Sequence, residues 1–280
     1  NPYKTVHSVA TSLMNVGNCY SNMASYSEAL IYLNQAIETL EESSVNGFYQ
    51  SRLYYYRGVM YSKKEDYDLA IADLEYALNE LTDDEGNFDE IIGKYNFKIG
   101  LCYQQKGNYD KAHEYFDIGI GHFLNKDDTT AIFSVGEKRV FSELLFAKMN
   151  LIFIDNSQKD VAAIEKVLEM AEMVDQLLRH MINHSRSEDS KLSLSDMFHE
   201  NSRVAIKACY RLHELSSDEK YMSEAFLWSA KGKANLLQAE IKANTDKLKA
   251  NLPDSLLEKE LKINATISFY EEKLFDPSED

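Results

Sequence analysis

Apolar residues recur along most of this chain at steps of three and four, the spacing that gathers them on one face of an α-helix. Short polar stretches interrupt them at Asn22–Tyr26, Lys64–Tyr67 and Lys106–Tyr109, and longer ones at Thr82–Asn87 and Asn125–Thr129. The breaks pair the predicted helices as 3–22 with 26–43, 47–64 with 67–81, and 88–106 with 110–124. Further stripes predict helices over 130–154, with Phe133, Val140, Leu144 and Phe146 facing inward, and over 159–183, with Ile164, Leu168, Ala171, Val174 and Leu178. Residues 184–195, rich in Ser, Asp and Lys, are expected to be disordered. Helices are then expected over 195–215 and 218–244. A last one over 253–275 has Pro253 in its first turn and Leu256, Leu257, Leu261, Ile267 and Leu274 on its apolar side.

The first three pairs repeat one another. Gly17, Tyr20, Tyr26, Ala29, Leu33 and Ala36 share their offsets with Gly58, Tyr61, Tyr67, Ala70, Leu74 and Ala77, and with Gly100, Tyr103, Tyr109, Ala112, Phe116 and Gly119. The glycines are 41 and then 42 residues apart, a period that means stacked supersecondary units. A glycine inside a helix costs stability, which is tolerable where two backbones pass closely, and Ala29, Ala70 and Ala112 mark the other side of that approach. The tyrosine three residues on lies on the same face and fills the space beside it. Ser25, Asp66 and Asn108 are candidate caps for the second helices. The same spacing calls for a small residue near position 142, where Ser142 stands. A hairpin of this kind cannot bury its apolar face alone and stacks on copies of itself.

This pattern resembles the tetratricopeptide repeat over residues 10–124. The unit is seven or eight residues longer than the usual repeat of about 34, as in kinesin light chain-like proteins. Leu13, Tyr54 and Asn96 stand where that repeat usually carries Trp, and its helix-ending proline is missing. The resemblance implies an all-α, right-handed superhelical solenoid of about five antiparallel hairpins plus a terminal helix. The expected divisions are 1–124 for three well-matched hairpins, 125–252 for two diverged ones, and 253–280 for a terminal helix or a linker to a further domain. Residues Tyr221–Phe226 and Ser229–Leu237 resemble the helical array that precedes a caspase-like CHAT protease domain. That likeness implies the regulatory arm of a larger bacterial protein.

Composition narrows the function classes. Apolar content of 44% supports a long buried seam, and 3 prolines and 11 glycines suit helices. No run of apolar residues is long enough to span a membrane, so no membrane partner is expected. A net charge of −16 argues against nucleic acid, which needs clustered Lys and Arg. Cys19, Cys102 and Cys209 are odd in number and widely spaced, which fits reduced thiols and a cytoplasmic setting. Cys19 and Cys102 share a repeat position with Met60 and are expected in the core.

Candidate chemistry is thin. His180 and His184 are four apart on a helix, but Met-Ile-Asn between them offers no general base, and two polar histidines at a helix end is the plainer reading. Cys209 and His213 lack an orienting third group. No catalytic residue, metal ligand or cofactor is expected. The resemblance does imply a binding face. In stacked tetratricopeptide hairpins the first helices line a concave groove, through positions held here by Asn18 in the first repeat, Arg52, Tyr55, Tyr56 and Val59 in the second, and Lys94, Phe97, Lys98 and Leu101 in the third. Arg52, Lys63, Lys94 and Lys98 make that face basic, and it carries no acid. Basic groups beside aromatics suit a protein or peptide segment that is acidic or bears a carboxylate. Of the five residues with which some such domains hold a terminal carboxylate, Asn18, Lys94 and Lys98 match, whereas Met14 and Tyr56 do not. The expected role is a protein-binding scaffold or sensor, including contact with a downstream domain of its own chain. Structural self-association and a peptide-signal receptor are the alternatives.

Overall fold

The computed structural model describes residues 2–41, 47–82, 88–124, 135–155, 159–185 and 188–232, with Lys259, Lys262, Ile263 and Thr266 beyond them. These residues are helices and short turns, without a strand among them, and they fall into two compact units.

The first unit is three hairpins: α1 (Pro2–Asn22) with α2 (Tyr26–Glu41), α3 (Phe48–Lys63) with α4 (Tyr67–Thr82), and α5 (Asp89–Gln105) with α6 (Tyr109–Phe123). Each hairpin is closed where a glycine of the first helix meets the second. A Cβ on Gly58 would stand 2.9 Å from Leu74 Cγ and 3.1 Å from the Ala70 carbonyl, and one on Gly100 2.5 Å from the Phe116 ring. Gly17 meets Leu33 and Ala29 in the same way. A second close approach joins Gly93 to Gly119 and Phe123.

The three turns are one motif. At the end of α3 the Asp66 N–H donates to Tyr61 O and the Glu65 N–H to Ser62 O, with Glu65 at φ 64°. Ser25 and Ala24 make the same pair of bonds after α1, and Asn108 and Gly107 after α5. This is the αL ending that satisfies the last carbonyls of a helix. The Asn108 side chain accepts from the Lys111 N–H at 3.2 Å and caps α6.

Hairpins stack second helix on first, α2 on α3 and α4 on α5. Arg57 of α3 donates to Asp73 of α4 at 2.7 and 2.8 Å and to Asn34 of α2 at 2.9 Å, clamping the first two hairpins together. Tyr115 of α6 donates to Glu75 of α4 at 2.9 Å, and Tyr95 of α5 stacks on Tyr55 of α3 at 4.4 Å. Val135–Glu137 belong to this unit, where the Glu90 carboxylate accepts from the Gly136 N–H at 2.7 Å and the Glu137 N–H at 3.2 Å.

The second unit holds α7 (Lys138–Ile154), α8 (Val161–His184), α9 (Glu188–Ser216) and α10, helical over residues 220–232. Asp160 caps α8, accepting from the Ala162 N–H at 3.0 Å. α8 packs more fully on α9 than on α7. Asn201 of α9 donates to the Ala171 carbonyl of α8 at 2.8 Å in a buried setting. α10 crosses both: a Cβ on Gly232 would stand 2.8 Å from Ser202 Oγ, Tyr221 donates to Glu165 at 2.9 Å, and Lys231 to Glu172 at 2.7 Å. Ser142 is fully buried, its Oγ donating to the Lys138 carbonyl of its own helix at 2.9 Å.

Three expectations change. α7 begins at Lys138, not near 130, because Val135–Glu137 are held by Glu90 outside the helix; Phe133 lies outside the described residues. Residues from Glu188 onward are helical, not disordered. Leu194 and Phe198 are buried, which outweighs the local polarity. Cys19 is exposed whereas Cys102 is buried. Cys102 Sγ lies 3.5 Å from Ser62 Oγ of the preceding hairpin, whose packing on α5 buries it. The expected apolar face of 253–275 lies outside the described residues.

Candidate functional site

The candidate face is built on the first helices α1, α3 and α5. Helical spacing sends Arg52, Tyr55, Tyr56 and Val59 to one side of α3, and Lys94, Phe97, Lys98 and Leu101 to one side of α5. Lys94 Nζ of α5 stands 5.5 Å from the centroid of Tyr55 of α3, so the two hairpins share this face. Tyr55 in turn meets Tyr56 edge-on at 5.5 Å and stacks on Tyr95. Lys98 Nζ is 5.2 Å from the Phe97 ring, and the Arg52 guanidinium lies 5.8 Å from the ring of Phe48, which itself stacks on Phe88 at 5.4 Å.

The residues singled out in the sequence divide by burial. Tyr55 and Phe97 are each 3% exposed, and Asn18, Tyr56 and Val59 are also buried. Arg52, Lys94, Lys98 and Leu101 are half-buried. The aromatics are therefore a fixed floor with little ring surface of their own to offer, and the half-buried cations are the more accessible groups of this face. The reason is the stacking itself: Tyr55 spends its face on Tyr95 of the next hairpin. Of the further positions weighed for a terminal carboxylate, Met14 is buried as well. Tyr95 and Phe48 were not singled out from the sequence. The signal for Phe48 was an aromatic at the mouth of two successive first helices, Phe48 and Phe88.

Electrostatics around the floor favours uncharged rings. Burial raises the Tyr95 hydroxyl above its ordinary value, and burial likewise pushes the Cys102 thiol up. The cation–ring distances are those at which an ammonium or guanidinium is held by the ring face.

The remaining candidates carry no chemistry. His180 and His184 stack at 4.2 Å, and His184 Nδ1 lies 2.7 Å from the His180 carbonyl, so the pair closes on its own helix. Burial lowers the His180 pKa, with help from His184 and Lys138. Among the described residues no three His, Cys, Asp or Glu side chains gather to hold a metal ion. Cys209 is fully buried, its thiol pushed up to about 12 chiefly by burial, and His213 Nδ1 lies 3.1 Å from the Asp218 carbonyl. A thiol so far from ionising is no nucleophile. No helix of the described residues is long and apolar enough to cross a membrane.

Comparison with known proteins agrees with this geometry. Residues 10–39 and 93–117 match the tetratricopeptide repeat family. The crystal structure of BtubC (BKLC) from P. vanneervenii is similar over 82% of this chain and 83% of that one, at 14% identity and a TM-score of 0.53. That of a putative kinesin light chain from Podosopora anserina, with nearly identical TPR-like repeats, is similar over 81% of this chain and 95% of that one, at 14% identity and a TM-score of 0.51. No curated protein matches the chain by sequence. At such identity the likeness is one of fold, and the chain carries tetratricopeptide repeats within a stack of helical hairpins.

Proposed function

We propose that this segment is a non-catalytic binding scaffold whose first three hairpins hold an extended segment of a partner protein along the face of α1, α3 and α5. The partner segment is acidic or ends in a carboxylate. One observation carries this reading: in a chain of net charge −16 that face has no acidic position, and Arg52, Lys94 and Lys98 stand over aromatic rings along it. The buried floor of Tyr55, Tyr56, Val59, Phe97 and Asn18 is fixed before any partner arrives, which lowers the ordering cost of binding. Arg52, Lys94, Lys98 and Leu101 make the contact, and the cations steer the segment in a salt-dependent way.

The test is the anisotropy of a fluorescein-labelled, glutamate-rich peptide titrated with the protein. Lys94→Glu/Lys98→Glu should weaken binding at least about tenfold, some 1.4 kcal/mol, with unchanged helical circular dichroism. Equal affinity of the two proteins at the same salt overturns the proposal.

A second reading makes the array the sensing arm of a larger bacterial protein, in contact with its own caspase-like domain. It is supported by the resemblance of Tyr221–Phe226 and Ser229–Leu237, and its cytoplasmic setting by the free state of Cys19, Cys102 and Cys209. Binding of the array to the separately expressed remainder of such a protein tests it, and absence of binding rejects it.

A further inference from the structure

The boundary between α3 and α5 is closed by two rings where the boundary before it is not. Tyr55 of α3 stacks on Tyr95 of α5, with centroids 4.4 Å apart and planes at 11°. One repeat earlier the same two positions are Met14 of α1 and Leu53 of α3, and both are buried. Aliphatic side chains therefore serve this place in the stack, so packing alone does not ask for the two tyrosines.

The cations beside them follow the rings. Arg52 and Lys94 hold one and the same repeat position, on α3 and α5. Lys94 Nζ lies over the ring of Tyr55, across the hairpin boundary, at 5.5 Å. Arg52, whose preceding hairpin carries Met14 in place of that tyrosine, lies instead over Phe48 of its own helix at 5.8 Å. The face of an aromatic ring attracts a cation, and a lysine on its flexible stem can reach for it. Tyr55 is buried and fixed by Tyr95, whereas Lys94 is half-buried, so the ring sets the place and the ammonium takes it.

We propose that Tyr55 is a positioning residue for Lys94. From α3 it sets where the cation of α5 stands, and so seats a carboxylate of the partner segment at the α3–α5 boundary. An ammonium already held on a ring loses less freedom when that carboxylate arrives. This role rests on the groove reading above and gives Tyr55 no contact with the partner. The first hairpin, with Met14 at that position and Thr11 at that of Lys94, takes no part in reading charge.

A double-mutant cycle with the fluorescein-labelled, glutamate-rich peptide tests it. Tyr55→Met/Tyr95→Leu copies the residues of the α1–α3 boundary and should keep the helical circular dichroism. It should weaken binding about fivefold, as should Lys94→Gln, and the three substitutions together should weaken it no further than Lys94→Gln alone. A ring with a merely structural role would lower affinity with or without the lysine. Without any peptide, the ε-methylene protons of Lys94, identified by their loss in Lys94→Gln, should resonate upfield of the other lysines. They should rejoin them in Tyr55→Met/Tyr95→Leu. Should that pair of substitutions unfold the unit, Tyr55→Phe should keep both the affinity and the upfield signal while Tyr55→Leu loses both. Losses that add, or an ε-methylene signal that the ring does not shift, overturn the proposal and leave the groove reading standing. A wild-type chain that shows the shifted signal but does not bind the peptide overturns the groove reading, and the positioning role falls with it.

Discussion

A methyl group added at Gly100 would come within 2.5 Å of the Phe116 ring, whereas one added at Gly121 meets nothing within 4 Å. Both glycines lie inside helices, so the two substitutions separate packing from backbone preference. Gly100→Ala should destabilise by about 1–3 kcal/mol through overpacking. Gly121→Ala should stabilise by about 0.5–1 kcal/mol by restoring helix propensity. Thermal melts of the two variants should move in opposite directions, and movement in the same direction would undo the repeat alignment. The cysteines are a second test at this scale. Cys19 is exposed, whereas Cys102 and Cys209 are buried with thiols raised by that burial, Cys209 to about 12. A disulfide reagent near neutral pH should therefore modify one thiol quickly in the native chain and all three after denaturation. Fast reaction of a second thiol, or fewer than three in the denatured chain, would contradict this arrangement.

Between elements, the ion pair of Arg57 and Asp73 bridges α3 and α4 while Arg57 also reaches α2. The hydrogen bond to Asp73 holds the guanidinium charged more firmly than usual, against the opposing cost of burial. In the third hairpin the same two positions are Ile99 and Tyr115, so the stack accepts an apolar solution there. Arg57→Ile alone leaves Asp73 buried without its partner and should cost about 3 kcal/mol. Arg57→Ile/Asp73→Tyr, which copies the third hairpin, should recover most of that loss. Urea midpoints of the two variants measure the coupling, and equal losses would mean that the pair does not act as a unit. The hairpins were legible in the sequence because Gly17, Gly58 and Gly100 report a steric demand that only a small residue meets. Their turns were less legible. Ala24 and Glu65 take the αL place at φ 56° and 64°, which only Gly107 advertises by type. The starts of α7 and α9 were misplaced for one reason. Glu90 and the buried Leu194 and Phe198 act through tertiary contacts that local composition does not encode.

At the scale of the first unit, the candidate face was legible by position and not by accessibility. Repeat arithmetic put Arg52, Lys94 and Lys98 on one side, but whether Tyr55 faces a partner or its neighbour Tyr95 is decided by stacking, which a single repeat cannot report. The same stacking sets how the unit responds to alkali. Tyr54, Tyr95 and Tyr115 all lie where hairpins meet. Burial, joined by the carboxylate of Glu41, pushes Tyr54 up from an ordinary value of 10.0 to about 12. Burial also raises Tyr95, and burial with the Glu75 hydrogen bond raises Tyr115. A group whose pKa is higher in the folded chain binds more protons there than in the unfolded chain. Its stabilising share is complete below the unfolded value near 10 and is lost as the pH rises through the folded value. The first unit should therefore keep its stability up to about pH 10 and lose it steeply between there and about 12, with tyrosinate absorbance and helical circular dichroism changing together. Tyr54→Phe removes one such proton while keeping the ring over Arg57, and should make the loss shallower. Helical signal that persists unchanged while tyrosinate appears would mean that these hydroxyls ionise freely and that the hairpin contacts do not depend on them.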